Sequence, residues 1–375
     1  MRSILRRVAT RAVAIGILLV LPLVAAAEPT KITFLHVNDV YEISPKRGQG
    51  GFAELMTLIR QERAAVEISI TTFGGDLISP SVMSGLTKGA QMVELMNAIG
   101  TDVAVPGNHE FDFGPGIAGQ RMSESRFPWL GTNVLGGDGK PAAGMTGLHT
   151  VQAGDFTVGF FGLLAPETDV LSSPGSEISF APVKETAAAA VQALKEMGAE
   201  VIVALTHLDF ATDVALAREV RGIHLILGGH DHEPITWYEG GVPLLKAGYD
   251  AHYLGVMDLS VEWVEKRGKK KLQVIPAWRL LSTAGVAPDP EIKAIVDSHN
   301  AKLDAELNVA VGVTKVLLDS RRASVRSGET NFGNLIADAM RAAVGADVAI
   351  TNAGGIRGDR TYEPGDTLTR KDVLT

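Results

Sequence analysis

The chain has no cysteine among its 375 residues. This absence excludes disulfide bonds, thiolate metal ligands and a cysteine nucleophile. The chain also lacks an excess of basic residues, since 35 Lys and Arg stand against 43 Asp and Glu, giving a formal net charge of −8. Nucleic-acid polymers are bound largely through basic groups on their phosphates, so this charge argues against such a partner. No apolar run reaches the roughly 20 residues that a stable membrane-spanning helix needs.

The first 27 residues have the three parts of a secretory signal peptide. A segment with four arginines is followed by the apolar stretch 12–24 and by three alanines at 25–27. We therefore predict a periplasmic or secreted protein in which residues 1–27 are cleaved and no stable membrane anchor remains. Cleavage removes those arginines and no acidic residue, which changes the net charge from −8 to −12. The rest of the chain is long enough for a large core and a second domain.

Five polar segments each follow an apolar run of β-strand character. The runs are Ile32–Val37, Ile68–Phe73, Val103–Val105, Val201–Leu205 and Ile223–Leu227. The polar segments are Asn38-Asp39, Gly75-Asp76, Gly107–Asp112, Thr206-His207 and Gly228–His232. Ligands gather at the carboxyl ends of the strands in an open α/β sheet, so these side chains are predicted to converge. Asp, Asn and His together suit two divalent ions, and ion pairs about 3.5–4 Å apart commonly hydrolyse phosphate esters.

Strand-like and helix-like segments alternate from Lys31 to about Ser260, which predicts a layered α/β domain. The helix candidates are Phe52–Ala65, Ala90–Ile99, Lys184–Met197 and Asp213–Val220. Two hairpins are predicted, Leu148–Gln152 with Phe156–Phe161 and Pro243–Lys246 with Tyr253–Val261, and the basic run 266–271 is interpreted as a solvated turn. Further along, the candidates are a polar linking helix at Pro290–Leu307, a helix at Thr330–Val344 and a strand at Asp347–Thr351.

Asp76 follows two glycines, which permit a tight turn that lets a carboxylate project from a strand end. Such a carboxylate could bridge two ions, although a single Asp in this context is more often a turn residue. The hexapeptide Gly107–Asp112 is more specific. Within it, Asn108 offers a neutral oxygen ligand, His109 an acid or cation, and Asp112 a partner that orients His109.

Three further histidines extend this set. His207 ends a strand, and His230 and His232 can point the same way if their loop is locally extended. A single strand-end histidine is more often structural than a ligand, but the hexapeptide beside them favours metal binding. The other histidines considered are interpreted as core residues: His36, His224 and His252.

These segments resemble the calcineurin-like metallophosphoesterases and, more narrowly, the periplasmic 5′-nucleotidase/UDP-sugar hydrolase family. The resemblance covers about Lys31–Ser260 and resumes over about Arg322–Thr375. It implies a four-layer αββα sandwich, followed by the start of a smaller α/β nucleotide-binding domain, and two divalent metal ions such as Zn, Mn or Mg. The implied ligands are Asp39, Asp76 and His232 for one ion, and Asp76, Asn108, His207 and His230 for the other. The resemblance also implies that His109, supported by Asp112, stabilises the transition state or protonates the leaving oxygen.

Tyr41 departs from the family pattern. That family usually has Asp-x-His in its first motif, with the histidine a metal ligand, whereas this chain has Asp39-Val40-Tyr41. A phenol with a pKa near 10 is a poor ligand for most divalent ions at neutral pH. This first site is therefore weaker, is completed by water, or recruits Glu42 or Tyr41. We expect an altered metal preference rather than a loss of activity.

Two motifs near the C-terminus suggest substrate recognition. Arg322 and Arg326 lie four residues apart, and Asn352–Arg357 contains two adjacent glycines. Arginine suits bidentate phosphate recognition, and glycine lets the backbone approach a ligand. These motifs resemble the nucleotide-binding C-terminal domain of the same family, which implies that Arg322, Arg326 and Arg357 contact phosphate and Asn352 contacts the base or sugar. The aromatic residues that stack the base in that family lie further downstream, so the domain is interpreted as truncated.

The predicted organisation is a signal peptide at 1–27, a metallophosphoesterase domain at 28–285, a linker helix at 286–310 and an incomplete substrate-binding domain at 311–375. The predicted function is a 5′-nucleotidase that releases phosphate from nucleotides in the periplasm. A 2′,3′-cyclic nucleotide phosphodiesterase or a UDP-sugar hydrolase would use the same metal site. A non-catalytic periplasmic protein that binds nucleotide or metal, disabled by Tyr41, is the alternative from another class.

Overall fold

The computed structural model describes residues 28–142, 144–356 and 358–374. The strands are β1 (Thr30–Val37), β2 (Ser69–Phe73), β3 (Val103–Ala104), β4 (Trp129–Leu130), β5 (Val134–Leu135), β6 (Met145–Thr146), β7 (Leu148–Ala153), β8 (Phe156–Leu164), β9 (Ser179–Phe180), β10 (Val201–His207), β11 (Leu225–Gly228), β12 (Pro234–Glu239), β13 (Val242–Ala247), β14 (Tyr253–Lys266), β15 (Lys269–Ser282), β16 (Ala310–Val313), β17 (Leu318–Asp319), β18 (Thr361–Tyr362) and β19 (Thr367–Thr369). The helices are α1 (Phe52–Ala65), α2 (Val82–Thr87), α3 (Ala90–Ile99), α4 (Gly114–Glu124), α5 (Thr168–Leu171), α6 (Val183–Glu196), α7 (Phe210–Glu219), α8 (Pro290–Leu307), α9 (Arg322–Val325), α10 (Asn331–Val344) and α11 (Arg370–Leu374). Single 3₁₀ turns cover Asn108–Phe111 and Ala353–Gly355.

Two sheets form the centre of the larger part of the molecule. The first has the strand order β15-β14-β1-β2-β3-β4-β6, and the second has the order β12-β13-β11-β10-β8-β7. Strands β1, β2 and β3 run parallel, as do β8, β10, β11 and β13. The parallel strands of each sheet therefore present their carboxyl ends at one edge, as expected for a ligand-binding α/β sheet.

Side-chain alternation along the strands divides the core into layers. In β1, Ile32 and Phe34 pack between the two sheets, whereas Leu35 and Val37 pack against helices on the outer face. The same period of two continues in the second sheet, where alternate residues of β10 face the sheet interface and the helices α6 and α7. Strands covered on both faces read as nearly continuous apolar runs. Together the layers form the predicted αββα sandwich.

Helix boundaries follow local capping chemistry. Asp289 accepts hydrogen bonds from the backbone N–H groups of Glu291 and Ile292, both at 3.1 Å, and Pro290 occupies the first turn, where its missing N–H costs nothing. Helix α8 therefore begins at the predicted residue, and it packs on α1 and α3. Helix α7 begins at Phe210, before the predicted Asp213, because Asp209 caps it through the N–H of Thr212 at 3.0 Å.

Two predicted elements are wrong. Strand β13 does not pair with β14. It lies between β11 and β12 in the second sheet, while β14 lies between β1 and β15 in the first. Residues 347–351 do not form a strand, and Ile350 is 92% exposed, because no strand of the described chain pairs with this segment. The other predicted hairpin is confirmed as β7–β8, and the basic run forms the β14–β15 turn.

Residues beyond α8 form a small cluster of their own. Phe332 stacks on Tyr362 with a centroid distance of 5.5 Å, and Leu318 completes the buried centre. Thr330 caps α10 through the N–H of Gly333 at 3.1 Å. The predicted signal peptide lies outside the described residues. Within the residues that the structure describes, no helix is both long and apolar enough to cross a membrane.

Candidate metal centre and active site

Strand ends from both sheets meet at one point. Asp39 follows β1 in the first sheet, and His230 follows β11 in the second. The backbone N–H of His230 donates a hydrogen bond of 2.9 Å to Oδ2 of Asp39, across 191 residues of sequence. Asp39, Asp76 and His207 each offer a ligand atom within 4.8 Å of the other two, and all three are buried. The predicted convergence of these strand ends is therefore present in the structure.

Asp76 lies at the centre of this cluster. Its Oδ2 is 3.3 Å from Nε2 of His207 and 3.1 Å from the Tyr41 hydroxyl, while Oδ1 accepts the backbone N–H of His109 at 2.9 Å. Asp76 itself has a φ of 65°, and Gly75 before it has a φ of 90°. Both lie in the left-handed region, which glycine adopts without strain, and this turn directs the carboxylate inward.

The glycines around the cluster allow close backbone approach. A Cβ added at Gly107 would collide with the carboxylate and the backbone N of Asp76, and one added at Gly229 would collide with the backbone O of Gly74. Both collisions involve backbone atoms, which cannot move aside as the end of a flexible side chain can. Substitution at these two positions would therefore displace the loops that carry the candidate ligands.

The tautomer of His207 is set by a hydrogen bond on the side of its ring that faces away from Asp76. Nδ1 of His207 lies 2.8 Å from the backbone O of Gly74, so it carries the hydrogen and donates it there. Nε2 of His207 then faces Asp76 without a hydrogen-bond partner, and Oδ1 of the buried Asn108 also has none. Buried polar atoms are rarely left unpaired, so these two atoms fit the lone-pair donors that a metal ion requires.

The electrostatics of the cluster also fit a cation. Burial lowers the pKa of His207, but the negative charges of Asp76 and Asp39 outweigh it and raise that pKa to about 9. Burial raises the pKa of Asp76, but His207 and His109 hold it well below its usual range. The carboxylate is therefore ionised, and the field at this point favours positive charge, whether of a proton or of a metal ion.

His230 and His232 approach different parts of the cluster. The ring of His230 contacts that of His207, with a centroid distance of 5.0 Å. Nε2 of His232 lies 3.4 Å from Oδ1 of Asp39, and its ring stacks on Tyr249. The loop between them is not locally extended, since His230 has a φ of 77°. From the sequence, both rings can point the same way if their loop is extended. That condition is not met, because the left-handed conformation of His230 turns the chain.

His109 and Asp112 form a pair beside the carboxylate of Asp76. Nδ1 of His109 lies 2.7 Å from Oδ2 of Asp112, and Nε2 lies 3.9 Å from Oδ2 of Asp76. Asp112 also accepts the Ser172 hydroxyl at 2.8 Å, which holds its carboxylate in place. Burial lowers the pKa of His109, but the hydrogen bond to Asp112 and the charge of Asp76 outweigh it and raise that pKa.

Glu110 is a buried residue of the hexapeptide whose importance the sequence reasoning missed. Its carboxylate accepts backbone N–H groups from Asp76 at 2.9 Å and Ile78 at 3.1 Å, and also from Leu77 and Gly107. Burial and the nearby charge of Asp76 raise the pKa of Glu110 to about 7. Glu110 thereby ties the Asp76 turn to the Asn108 turn. Its position inside a charged motif was the available signal.

Asp250 and Lys246 were also missed, although both follow the rule of polar residues at strand ends. Oδ1 of Asp250 accepts the backbone N–H of Tyr41 at 2.9 Å, and the N–H of Asp250 donates to the backbone O of Asp39 at 2.8 Å. Lys246, at the end of β13, is fully buried and donates to the backbone O of Gly229 at 2.8 Å. These residues hold the loops that carry the first and last polar segments.

Three of the predicted substrate residues, Arg322, Arg326 and Asn352, lie in the part of the chain that follows α8. Arg322 and Arg326 line a cavity of about 300 Å³ together with Ile356 and Asp359. Asn352 caps the Ala353–Gly355 turn, its Oδ1 accepting the N–H of Gly354 at 3.0 Å. Arg357 lies outside the described residues. Within the described chain, no hydrogen bond or ion pair joins these side chains to the Asp76 cluster.

Two family models match the chain. The model described as calcineurin-like phosphoesterase matches residues 32–234, which is more than half of the chain. The model described as 5′-nucleotidase, C-terminal domain, matches residues 310–375. The first match contains all of the candidate metal ligands, and the second contains the cavity lined by Arg322 and Arg326.

Individual relatives agree with these matches. The 5′-nucleotidase of Bos taurus is 30% identical over 98% of this chain and 71% of its own length. The trifunctional nucleotide phosphoesterase protein YfkN of Bacillus subtilis is 31% identical over 92% of this chain, which spans 26% of that protein. A crystal structure of a 5′-nucleotidase precursor from Thermus thermophilus superimposes with a TM-score of 0.69 at 26% identity, covering 92% of this chain and 73% of that one.

Proposed function

Because this chain belongs to the calcineurin-like phosphoesterase family, in its 5′-nucleotidase branch, we propose that it is a metal-dependent hydrolase that releases phosphate from nucleotides. The observation that carries this proposal is the buried cluster around Asp76. There the ligand atoms of Asp39, Asp76 and His207 lie within 4.8 Å of one another, and Oδ1 of the buried Asn108 has no hydrogen-bond partner. This arrangement suits a cation better than any hydrogen-bond network among the side chains themselves.

The proposed ligands fall into two sets that share Asp76. Asp39, Asp76 and His232 would hold one divalent ion, and Asp76, Asn108, His207 and His230 would hold the other. Bound ions would supply Lewis-acid chemistry, polarising the phosphoryl group and lowering the pKa of a water molecule. The short contacts of Asp39 with His232 and of Asp76 with His207 support this division.

His109 is the proposed proton donor. Its hydrogen bond to Asp112 fixes the ring, so Nε2 faces the space beside Asp76. In the reaction, the oxygen of water forms a new bond to phosphorus, the bond to the nucleoside oxygen breaks, and that oxygen takes the proton of His109. The phosphate product keeps the protons of the water, and His109 regains its proton from that product or from solvent. A positioned acid of this kind contributes about 10²–10⁴-fold to the rate. The raised pKa of His109 favours the protonated form that this step needs.

Substrate would be bound by the C-terminal segment. Arg322, Arg326 and Arg357 are proposed to contact phosphate and Asn352 the base or sugar, and the cavity between the first two arginines supports this assignment. We retain the proposed division into a metallophosphoesterase domain at 28–285, a linker helix at 286–310 and a substrate domain from 311. Rotation about the linker would bring substrate to the metal centre. Export to the periplasm or medium, after cleavage of residues 1–27, completes the proposal.

The test measures phosphate released from AMP, with Zn²⁺, Mn²⁺ and Mg²⁺ supplied separately to metal-free protein. Asn108→Ala removes one proposed ligand and should weaken metal binding by at least about 10-fold and reduce turnover. Asn300→Ala is the matched control, because Asn300 on α8 bonds Ser44 outside the cluster. The proposal of an enzyme would be refuted if, with any of the ions, AMP gave no phosphate, 2′,3′-cyclic AMP gave no nucleoside monophosphate and UDP-glucose gave no UMP and glucose 1-phosphate. Preference for either of the last two substrates would identify one of the alternative hydrolases.

A further inference from the structure

Tyr41 reaches into the proposed metal centre. Its hydroxyl lies 3.2 Å from Oδ1 of Asp39, 3.1 Å from Oδ2 of Asp76 and 3.0 Å from Nε2 of His232. Asp250 fixes the backbone of Tyr41 at the same time, through the N–H group at 2.9 Å. The phenol is therefore placed among the three atoms proposed to hold one ion, and it is held there by the fold.

Hydrogen bonding alone does not satisfy these contacts. A phenol has one hydrogen to donate, whereas an ionised carboxylate can only accept. The hydroxyl of Tyr41 faces carboxylate oxygens of both Asp39 and Asp76, so one of these oxygen pairs has no hydrogen between its members. A cation shared by the phenol oxygen and both carboxylates would remove this conflict.

The spacing matches ligands around one ion. Ligand atoms lie about 2.0–2.2 Å from an ion such as zinc, so two neighbouring ligands are about 3–3.5 Å apart. The three contacts of the Tyr41 hydroxyl fall in this range, as does the 3.4 Å distance between Asp39 and His232. Glu42, the other residue that might complete the site, instead pairs with Lys46 at 2.6 Å.

From this geometry we infer that Tyr41 is the fourth ligand of the ion held by Asp39, Asp76 and His232, and that this position selects a hard trivalent ion such as Fe³⁺. When the ion displaces the phenol proton to solvent, two carboxylates and a phenolate would present three anionic oxygens beside one imidazole. Hard oxygen donors favour ions of high charge, and a ligand must lose its proton to coordinate. The second set, with Asn108 and two histidines, keeps the donors of a divalent site. This inference rests on the metal centre of the proposed function.

The experiment loads metal-free protein with Fe³⁺ and then Zn²⁺, and reads the visible absorption that a phenolate coordinated to Fe³⁺ produces. Wild-type protein should show this band. Tyr41→Phe, which removes only the hydroxyl, should lose the band and bind Fe³⁺ at least about 10-fold more weakly. Tyr41→His should lose the band and bind Zn²⁺ at both positions. Tyr249→Phe is the control and should keep the band, because Tyr249 contacts His232 by ring stacking.

Three outcomes would overturn the inference, and they differ in what they say of the proposed function. If wild-type protein binds two ions per chain without the band, Tyr41 is not a ligand and the metal centre stands. If Tyr41→Phe binds one more ion than wild type, the phenol excludes metal instead of binding it. If neither wild type nor Tyr41→His binds metal, while circular dichroism shows both folded, the proposed centre itself fails.

Discussion

The ammonium group of Lys246 is fully buried behind the loop that carries His230 and His232. It lies 2.8 Å from Oδ2 of Asp213, which is also fully buried, and 2.5 Å from Oδ2 of Asp231. It further donates to the backbone O of Leu208 at 2.6 Å and to that of Gly229 at 2.8 Å. Burial lowers the pKa of Lys246, but the two carboxylates outweigh it, so the group is charged.

Lys246→Met keeps an unbranched side chain that is one atom shorter and removes its charge. Asp213 would then be a buried carboxylate without a counter-ion, a change that costs about 3–5 kcal/mol in other proteins. Neither member of the pair is exposed, so no reduction for solvent screening applies. We therefore expect the free energy of unfolding to fall by about 3–5 kcal/mol. Lys293→Met is the matched control, because Lys293 pairs with Asp297 on the surface of α8, where such pairs contribute about 0.3–0.5 kcal/mol.

The assay is urea unfolding at pH 7 in the presence of a chelator, so that metal binding does not contribute. The double variant Lys246→Met/Asp213→Leu replaces both charges and should be less destabilised than the sum of the two single changes, by about 1–3 kcal/mol. Metal affinity measured separately should fall about 10–100-fold in Lys246→Met, since the Gly229 loop loses a donor. The reasoning is refuted if Lys246→Met unfolds within 1 kcal/mol of the control, or if the single effects are additive.

Three other predictions follow from buried or paired groups. Glu110→Gln should lower the free energy of unfolding by about 1–3 kcal/mol, since an amide cannot accept all the backbone N–H groups that the carboxylate accepts; an unchanged urea midpoint would contradict this. Burial and the charge of Lys195 lower the folded-state pKa of His224 to about 4, below the unfolded value of about 6.5. The contribution of this residue to the free energy of unfolding is therefore complete above pH 6.5 and is lost as the pH falls towards 4. In His224→Asn, the loss in the free energy of unfolding between pH 6.5 and 4 should therefore be smaller than in wild type, by at most about 3 kcal/mol. If urea unfolding shows the same pH dependence for both proteins, the lowered pKa of His224 is excluded. His109→Ala should lower kcat by about 10²–10⁴-fold with metal content unchanged, and Asp112→Asn by less; loss of metal instead would show that His109 is a ligand.

The layered fold and the edge that carries the site were predictable because both depend on local patterns. Continuous apolar runs identify strands that are covered on both faces, and their alternation with helix-like segments predicts the layers. Polar residues after each apolar run then locate the ligand-binding edge. Strand partners were not predictable in the same way. Strands β13 and β14 are both apolar runs, and such a run contains no information about which neighbour will cover it.

The same distinction between local pattern and tertiary contact applies to the residues of the site. The convergence of Asp39, Asp76 and His207 could be predicted because each lies at or just after the carboxyl end of a strand. The supporting groups Lys246 and Asp250 could not be selected by type, since their contacts join residues that are remote in sequence. The φ of 77° at His230 likewise depends on the loop packing against Asp39.

The sequence by itself determined the donor chemistry of this protein: which carboxylates, amides and imidazoles stand at strand ends, and that a tyrosine stands two residues after Asp39. Only the tertiary structure decided which of these atoms share one point in space. It placed the Tyr41 hydroxyl 3.0–3.2 Å from three candidate ligands, and it directed Glu42 to Lys46 instead. The physical reason is that side-chain type depends on the chain alone, whereas convergence requires two sheets to pack face to face and bring their strand ends together.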